Sequence, residues 1–360
     1  MRTGKADLPL HPGKAPPWLF QRMVRLSRGI LGYMVEELGT REVLARLSDP
    51  FWFQSLGCVL GFDWHSSGVT TTTCGAIKEG LKGLERELGL FAAGGKGAAS
   101  RRTPQEIEEW AGRASLPFDP AKLVHASRMS AKVDSNALQD GYQIYHHFFV
   151  FDREGGWAVV QQGMNESTGY ARRYHWLSDG VDDFVQEPHA AVCCDRRGLA
   201  LNLVAAEGSA NREASAQLAR VRPEKLVREL CRLREMRLPR RHQLFLRDLD
   251  PASLQRVLLR AYERQPQGFA ELLGLPGVGA KALRALSLIA DLVHGAPVCW
   301  EDPARYSFAH GGKDGWPYPV DRRTYDRSIE AMERAVRRAG LGLSEREGAL
   351  RRLAAVSPEP

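Results

Sequence analysis

Cysteine is scarce and unpatterned in this 360-residue chain. Cys58, Cys74, Cys193, Cys194, Cys231 and Cys299 are scattered, and no C-x-x-C occurs. The adjacent pair Cys193-Cys194 suits neither a zinc site nor an easy disulfide. A reduced, cytoplasmic setting is therefore expected, with nucleoid association open to it. Long apolar runs are missing too, so no membrane partner is expected. The start, Met1-Arg2-Thr3-Gly4-Lys5-Ala6-Asp7, lacks the apolar centre of a signal peptide. Internal repeats and coiled-coil heptads are absent. Acidic residues are outnumbered, 43 against 50 Lys and Arg, giving a net charge of +7 and a pI near 9.2. That balance favours a polyanionic partner but says nothing of fold. Hydrophobic content of 43% and charged content of 26% are those of an ordinary globular chain.

What is present begins with an extended Pro/Gly arm over residues 1–16. An amphipathic helix follows over 17–37, carried by Leu19, Met23, Leu26, Ile30, Met34 and Val35. Leu38-Gly39 ends it, and Thr40 reads as the cap of a shorter helix to Leu47. Trp18, Phe51, Trp52 and Phe53 read as core anchors. The stretch His65-Ser66-Ser67-Gly68-Val69-Thr70 opens the next helix. Its hydroxyls and free amides could seat an anion, so His65, Ser66, Ser67 and Thr70 are candidate anion or substrate contacts, together with Gln161 and Gln162. The G-x-x-x-x-G-K-[ST] spacing is lacking, which excludes a P-loop. Residues 91–102, rich in Gly and Ala, read as a mobile surface loop. Thr103-Pro104-Gln105-Glu106 has the form of an N-cap with a capping-box glutamate.

The middle third turns to strands. Residues 142–151 and 157–164, with a Gly-Gly turn between them, predict a hairpin, and further strand-like pieces lie at 173–177 and 189–194. Alternation sends His146 and His147 to opposite faces. Asp134, Asp140 and His146 could together hold Mg or Mn for phosphodiester cleavage, though their spacing matches no metal motif.

From residue 211 the chain becomes basic. Residues 211–264 hold roughly 14 Lys and Arg against roughly 7 Asp and Glu, an excess as large as that of the whole chain. Arg237, Arg240 and Arg241 sit in the densest run. Then comes Leu272-Leu273-Gly274-Leu275-Pro276-Gly277-Val278-Gly279-Ala280-Lys281-Ala282-Leu283. It reads as a short helix, a Gly-rich turn and a second helix whose first amides are unpaired. This stretch resembles the helix-hairpin-helix motif of DNA-binding proteins. The resemblance implies a grip on the DNA backbone through Leu275, Gly277, Gly279 and Lys281, with Arg237, Arg240 and Arg241 beside them.

In the glycosylase branch of that superfamily a lysine follows the second hairpin glycine by two residues, and an aspartate follows in a Pro-Val-Asp context. Lys281 and Pro319-Val320-Asp321 occupy those positions, so the likeness implies a base-excision glycosylase/lyase with Lys281 as nucleophile and Asp321 as its partner, needing no cofactor. The intervening segment is longer than in that branch, and the iron–sulphur cysteine run is missing. On residues alone Lys281 also suits a phosphate contact and Asp321 an N-cap.

Over nearly its full length the chain is also similar to a family known as domain of unknown function 763. The residues that carry this are Arg2-Thr3-Gly4, Ala131-Lys132-Val133-Asp134, Gln139-Asp140-Gly141, Val159-Val160-Gln161-Gln162-Gly163-Met164-Asn165 and Ser307-Phe308-Ala309-His310-Gly311-Gly312-Lys313-Asp314. That likeness brings no activity with it. The expectation is an α+β protein, with a mixed unit over 1–210 and a helical unit over 211–360. It would act on DNA as a glycosylase/lyase, as a metal-dependent nuclease, or as a binding module without chemistry.

Overall fold

The structure, a computed structural model, describes residues 15–62, 67–194, 197–304, 322–338 and 342–356. It is an α+β fold built around one antiparallel sheet. The chain opens with helices α1 (Pro17–Ser48), α2 (Pro50–Leu60), α3 (Gly68–Leu81) and α4 (Glu85–Leu88), followed by strand β1 (Leu90–Lys96). Helices α5 (Ala98–Arg101), α6 (Thr103–Ala114) and α7 (Ala121–Lys132) come next. A π-helical turn, Val133–Ala137, leads from α7 into β2 (Leu138–Gln139). Then come β3 (Gln143–Asp152), β4 (Trp157–Asn165), β5 (Tyr170–Leu177), β6 (Ala191–Cys193) and β7 (Leu201–Asn202). The remainder is helical: α8 (Ser209–Leu218), α9 (Pro223–Glu235), α10 (Arg240–Leu246), α11 (Pro251–Arg264), α12 (Phe269–Gly274), α13 (Ala280–His294), α14 (Arg322–Arg338) and α15 (Leu343–Val356).

The main sheet runs β1-β3-β4-β5-β6, each neighbour antiparallel. Helices cover both of its faces. Phe148 and Val150 of β3 point into one core with α1, α2 and α3, while Phe149 and Phe151 point into the other with α6 and α7. This explains an apolar run without alternation in an antiparallel strand, since both side-chain parities are buried. The second core continues without a break into α8–α13 through Leu226, Leu258, Leu283 and Ile289. Met332, Ala335, Val336, Ala349 and Leu353 of α14 and α15 join the first core beside α1 and α2. Residues 211–360 thus contribute to both helical layers.

The β3–β4 hairpin, β5 and β6 form where strand propensity placed them, and four other local readings change. Residues 91–102 are not a surface loop: Leu90, Phe91, Ala92 and Ala93 are buried in β1. Its glycines allow a close approach, since a Cβ on Gly94 would lie 2.3 Å from the His147 carbonyl oxygen. Glu106 closes no capping box; it accepts from the Gly94 amide at 2.8 Å and from Lys78 at 2.6 Å, and so anchors this edge strand. Thr40 is not a cap. Gly39 (φ 81°) kinks α1, and the Thr40 hydroxyl donates to Asp152 at 3.0 Å. Trp52 and Phe53 are core residues, whereas Trp18 is 60% exposed beneath the Arg22 guanidinium.

Candidate functional site

A belt of polar side chains crosses the middle of the sheet, where three adjacent strands carry doubled polar residues. These are His146-His147 on β3, Gln161-Gln162 on β4 and Arg172-Arg173 on β5, all buried; His146 pairs with Gln162 and Gln162 with Arg173, His147 pairs with Gln161, and Arg172 stands one position along, opposite Gly163. Alternation splits each pair between the two faces, as expected for the histidines. Buried polar groups require partners, so each face holds its own network.

On the face toward α7, Asp134 is the centre. It sits fully buried in the π-helical turn, a distortion often found at functional sites. Its Oδ2 accepts from Gln161 Nε2 at 2.5 Å and from Trp176 Nε1 at 3.0 Å, and Oδ1 lies 2.5 Å from His189 Nε2. Gln161 Oε1 meets His147 Nδ1 at 2.9 Å, and His147 Nε2 reaches Ser127 Oγ at 2.9 Å. Burial pushes the Asp134 carboxyl up, opposed by its interactions with His189 and Trp176. Burial holds His147 down to about 4.

A second cluster lies alongside. Arg172 bridges Asp140 at 2.8 Å and Asp302 at 2.7 Å, and Tyr174 OH donates to Asp140 at 2.8 Å. Burial works against the Arg172 charge, yet Asp140 and Asp302 more than offset it and hold the guanidinium well above its ordinary value. Two carboxylates and an arginine so closed on one another form a strut between strand and loop.

The three side chains considered for a metal do not converge. Asp134 and Asp140 share no partner, and His146 lies on the opposite sheet face with Phe148 and Val150. Its two ring nitrogens have no hydrogen-bond partner among the described residues, and burial lowers it to about 3. Among the described residues no group of three side chains has metal-binding geometry. The physical reason is parity: a strand residue of even number cannot join a network built on its odd neighbours.

The candidate anion seat is divided as well. His65 and Ser66 lie outside the described residues, as does Asp321. Ser67 is buried at the start of α3, where its carbonyl accepts from Gln162 Nε2 at 2.9 Å. Thr70 Oγ1 accepts from Arg173 at 3.3 Å. Gln162 serves this face and Gln161 the other, so the six candidates do not form one site.

The hairpin stretch forms α12, a turn and α13. Gly277 takes φ +84° at the turn, a conformation that favours glycine. Gly279 is the N-cap of α13 and offers no side chain to its amides. No hydrogen bond to the amides of Gly277, Gly279, Ala280 or Lys281 is formed among the described residues. Lys281 is 58% exposed, donates to the Asp248 carbonyl at 3.1 Å and lies 3.8 Å from its carboxylate. Leu275 packs against the core as the turn's apolar foot. Arg237, Arg240 and Arg241 are all exposed, and Arg241 stacks over Trp300 at 5.4 Å.

The residues that flank the π-helical turn hold the hairpin in place. Lys132 donates to the carbonyls of Leu273 at 2.7 Å and Leu275 at 2.8 Å, closing the C-terminal end of α12. Gln139 donates to the Ala280 carbonyl at 2.9 Å and accepts from Arg284 at 2.7 Å. One short segment thus fixes the hairpin at its ends and carries Asp134 between them.

This segment falls within residues 4–320, which match the family described as Protein of unknown function (DUF763). The chain belongs to the DUF763 family. Comparison with curated proteins and with solved structures gives no match. The DUF763 match takes in the sheet, the π-helical turn and the hairpin, and ends before α14 and α15.

The most heavily bonded residues of this DUF763 chain include several that the sequence did not single out. His189 and Trp176 meet Asp134 across 55 and 42 residues. Their one local signal is position: both lie in or beside a strand, facing the parity that Gln161 faces. The doubled polar pairs within apolar strands mark the belt directly.

Proposed function

We propose that the protein binds duplex DNA through its sugar–phosphate backbone and serves DNA repair or processing, with the α12–α13 hairpin as the grip. The observation that carries this reading is the turn at Gly277, where the amides of Gly277, Gly279, Ala280 and Lys281, from the turn into the start of α13, have no partner among the described residues. Unpaired amides and a helix N-terminus are suited to phosphate oxygens. Arg260 lies against the same turn, its guanidinium 2.8 Å from where a Gly277 Cβ would be.

The basic helices extend this surface. Helix α10 runs beside α13: His242 bonds Asp291 at 3.0 Å, and Arg284 bonds the Phe245 carbonyl at 3.4 Å. From Lys281 to Asp291 is roughly 15 Å along the helix. That spans about four nucleotides of one strand. Arg240 and Arg241, at the Asp291 end, can therefore follow the strand that the hairpin holds. Contacts of this kind give affinity without base preference.

The test is fluorescence anisotropy of a labelled duplex across a salt series. The expected result is binding that weakens steeply with salt, and a slope reduced by about one in Lys281→Ala. Absence of binding at low salt, or an unchanged slope in that variant, would overturn the reading.

A further inference from the structure

A cleft of about 530 Å³ opens beside β6 and β7, walled on its other side by residues 299–304. That volume suits a small molecule. At its edge stands His189, whose side chain is 7% exposed. Its Nε2 is committed to the buried Asp134 carboxylate, and no described residue bonds its Nδ1. A carboxylate at Nε2 fixes the proton there, so Nδ1 offers a lone pair to the cleft. Gln161 and Trp176 hold the other oxygen of Asp134.

Most of the charged groups that line the cleft are carboxylates. Glu187, Glu207 and Glu301 line it, and together they add to the upward push that burial gives the Cys299 thiol, so all three lie near one point. Asp302 shares Arg172 with Asp140, whereas Glu207 and Glu301 are exposed and have no ion-pair partner among the described residues. Arg197 is the one lysine or arginine among the described lining residues. In a chain of net charge +7, this is a locally acidic hollow. A phosphate would meet like charge there, which separates the cleft from the DNA surface. Val192, Val204, Ala205 and Pro303 give it an apolar wall.

We propose that this cleft binds a small organic cation, a protonated alkyl amine or guanidine, whose N–H groups donate to Nδ1 of His189 and to the carboxylates of Glu207 and Glu301. The alkyl part lies on the apolar wall. Donor-to-acceptor matching is the reason: every group assigned here accepts, so the ligand must donate. The DNA-binding reading is not needed for this site.

The experiment is isothermal titration of the full chain with agmatine, with inorganic phosphate and manganese chloride as parallel arms. Saturable agmatine binding is expected, weakened at least about tenfold in the Glu207→Gln/Glu301→Gln double variant, since each charged hydrogen bond is replaced by a neutral one. Both positions are exposed, so the variant keeps its fold; far-ultraviolet circular dichroism checks this. Because removal of His189 would strand Asp134, its part is read instead from the ¹⁵N shift of Nδ1 on agmatine addition. No saturable agmatine binding, binding indifferent to the double variant, or a site that takes phosphate or manganese in preference would overturn the proposal. DNA binding by the double variant equal to that of the wild-type chain is expected, and its loss would refute the separation of the two sites.

Discussion

Lys132→Met isolates the clamp between the end of α7 and the hairpin. The lysine is half-buried, and burial lowers its pKa. Its ammonium makes two hydrogen bonds, to Leu273 O at 2.7 Å and Leu275 O at 2.8 Å. Hydrogen bonds from a charged donor contribute roughly 1.5–3 kcal/mol each, so the gross loss is about 3–6 kcal/mol. Methionine preserves the stem's packing and removes the cost of burying a charge, which returns part of that. A net destabilisation of about 2–3 kcal/mol is expected by urea denaturation followed by tryptophan fluorescence. DNA affinity should fall with it, because the amides of Gly277 and Gly279 lose their fixed position. The salt slope should stay as it was, because the Lys132 ammonium is committed to two carbonyls. Lys281→Ala should do the reverse, lowering the slope while leaving stability within about 0.5 kcal/mol. If Lys132→Met is as stable as the parent chain, the clamp contributes nothing and the reasoning fails.

Two further outcomes follow from the sheet. Gly94→Ala adds a Cβ 2.3 Å from the His147 carbonyl oxygen at φ +84°, so β1 must move off β3; a loss of about 2 kcal/mol or more is expected in the same denaturation assay. His146 and His147 are held at about 3 and about 4 in the fold, against 6.5 for the ordinary ring. Below pH 6.5 the unfolded chain therefore binds the extra protons, so the stability these neutral rings confer is complete above 6.5 and is lost as pH falls toward 3–4. At pH 5 the loss is about 2 kcal/mol for each ring. His146→Leu should remove about half of this acid sensitivity and raise stability at pH 7 by about 1 kcal/mol, because it deletes two unpartnered buried nitrogens. Unfolding midpoints at pH 7 and pH 5 check both statements, and equal midpoints in the parent chain would refute the first.

The amino-acid sequence by itself determined the local elements of this protein. Val150, Phe151, Trp157 and Val159 are strand formers flanking a Gly-Gly turn, and they pair as expected. Leu272, Gly277, Gly279 and Leu283 place two helices and the turn between them, because positive φ and helix periodicity are properties of a few adjacent residues. The opposite facing of His146 and His147 was equally legible, since it needs only the period of a strand.

Tertiary structure alone decided the rest. Residues 91–102 look like a loop by composition, and 91–96 become part of a strand only because β3 and Glu106 lie there to pair with it. Asp134 carries no mark that names His189, 55 residues away, as its partner. Burial makes that partnership compulsory, and burial is set by how α7, β4, β5 and β6 pack together. The apolar faces of α14 and α15 fit any core, and contact with α1 and α2 selected theirs. Short-range torsional and hydrophobic preferences are written into neighbouring residues. The pairing of buried charges and the choice of core are long-range consequences of excluding water, fixed only once the chain has closed on itself.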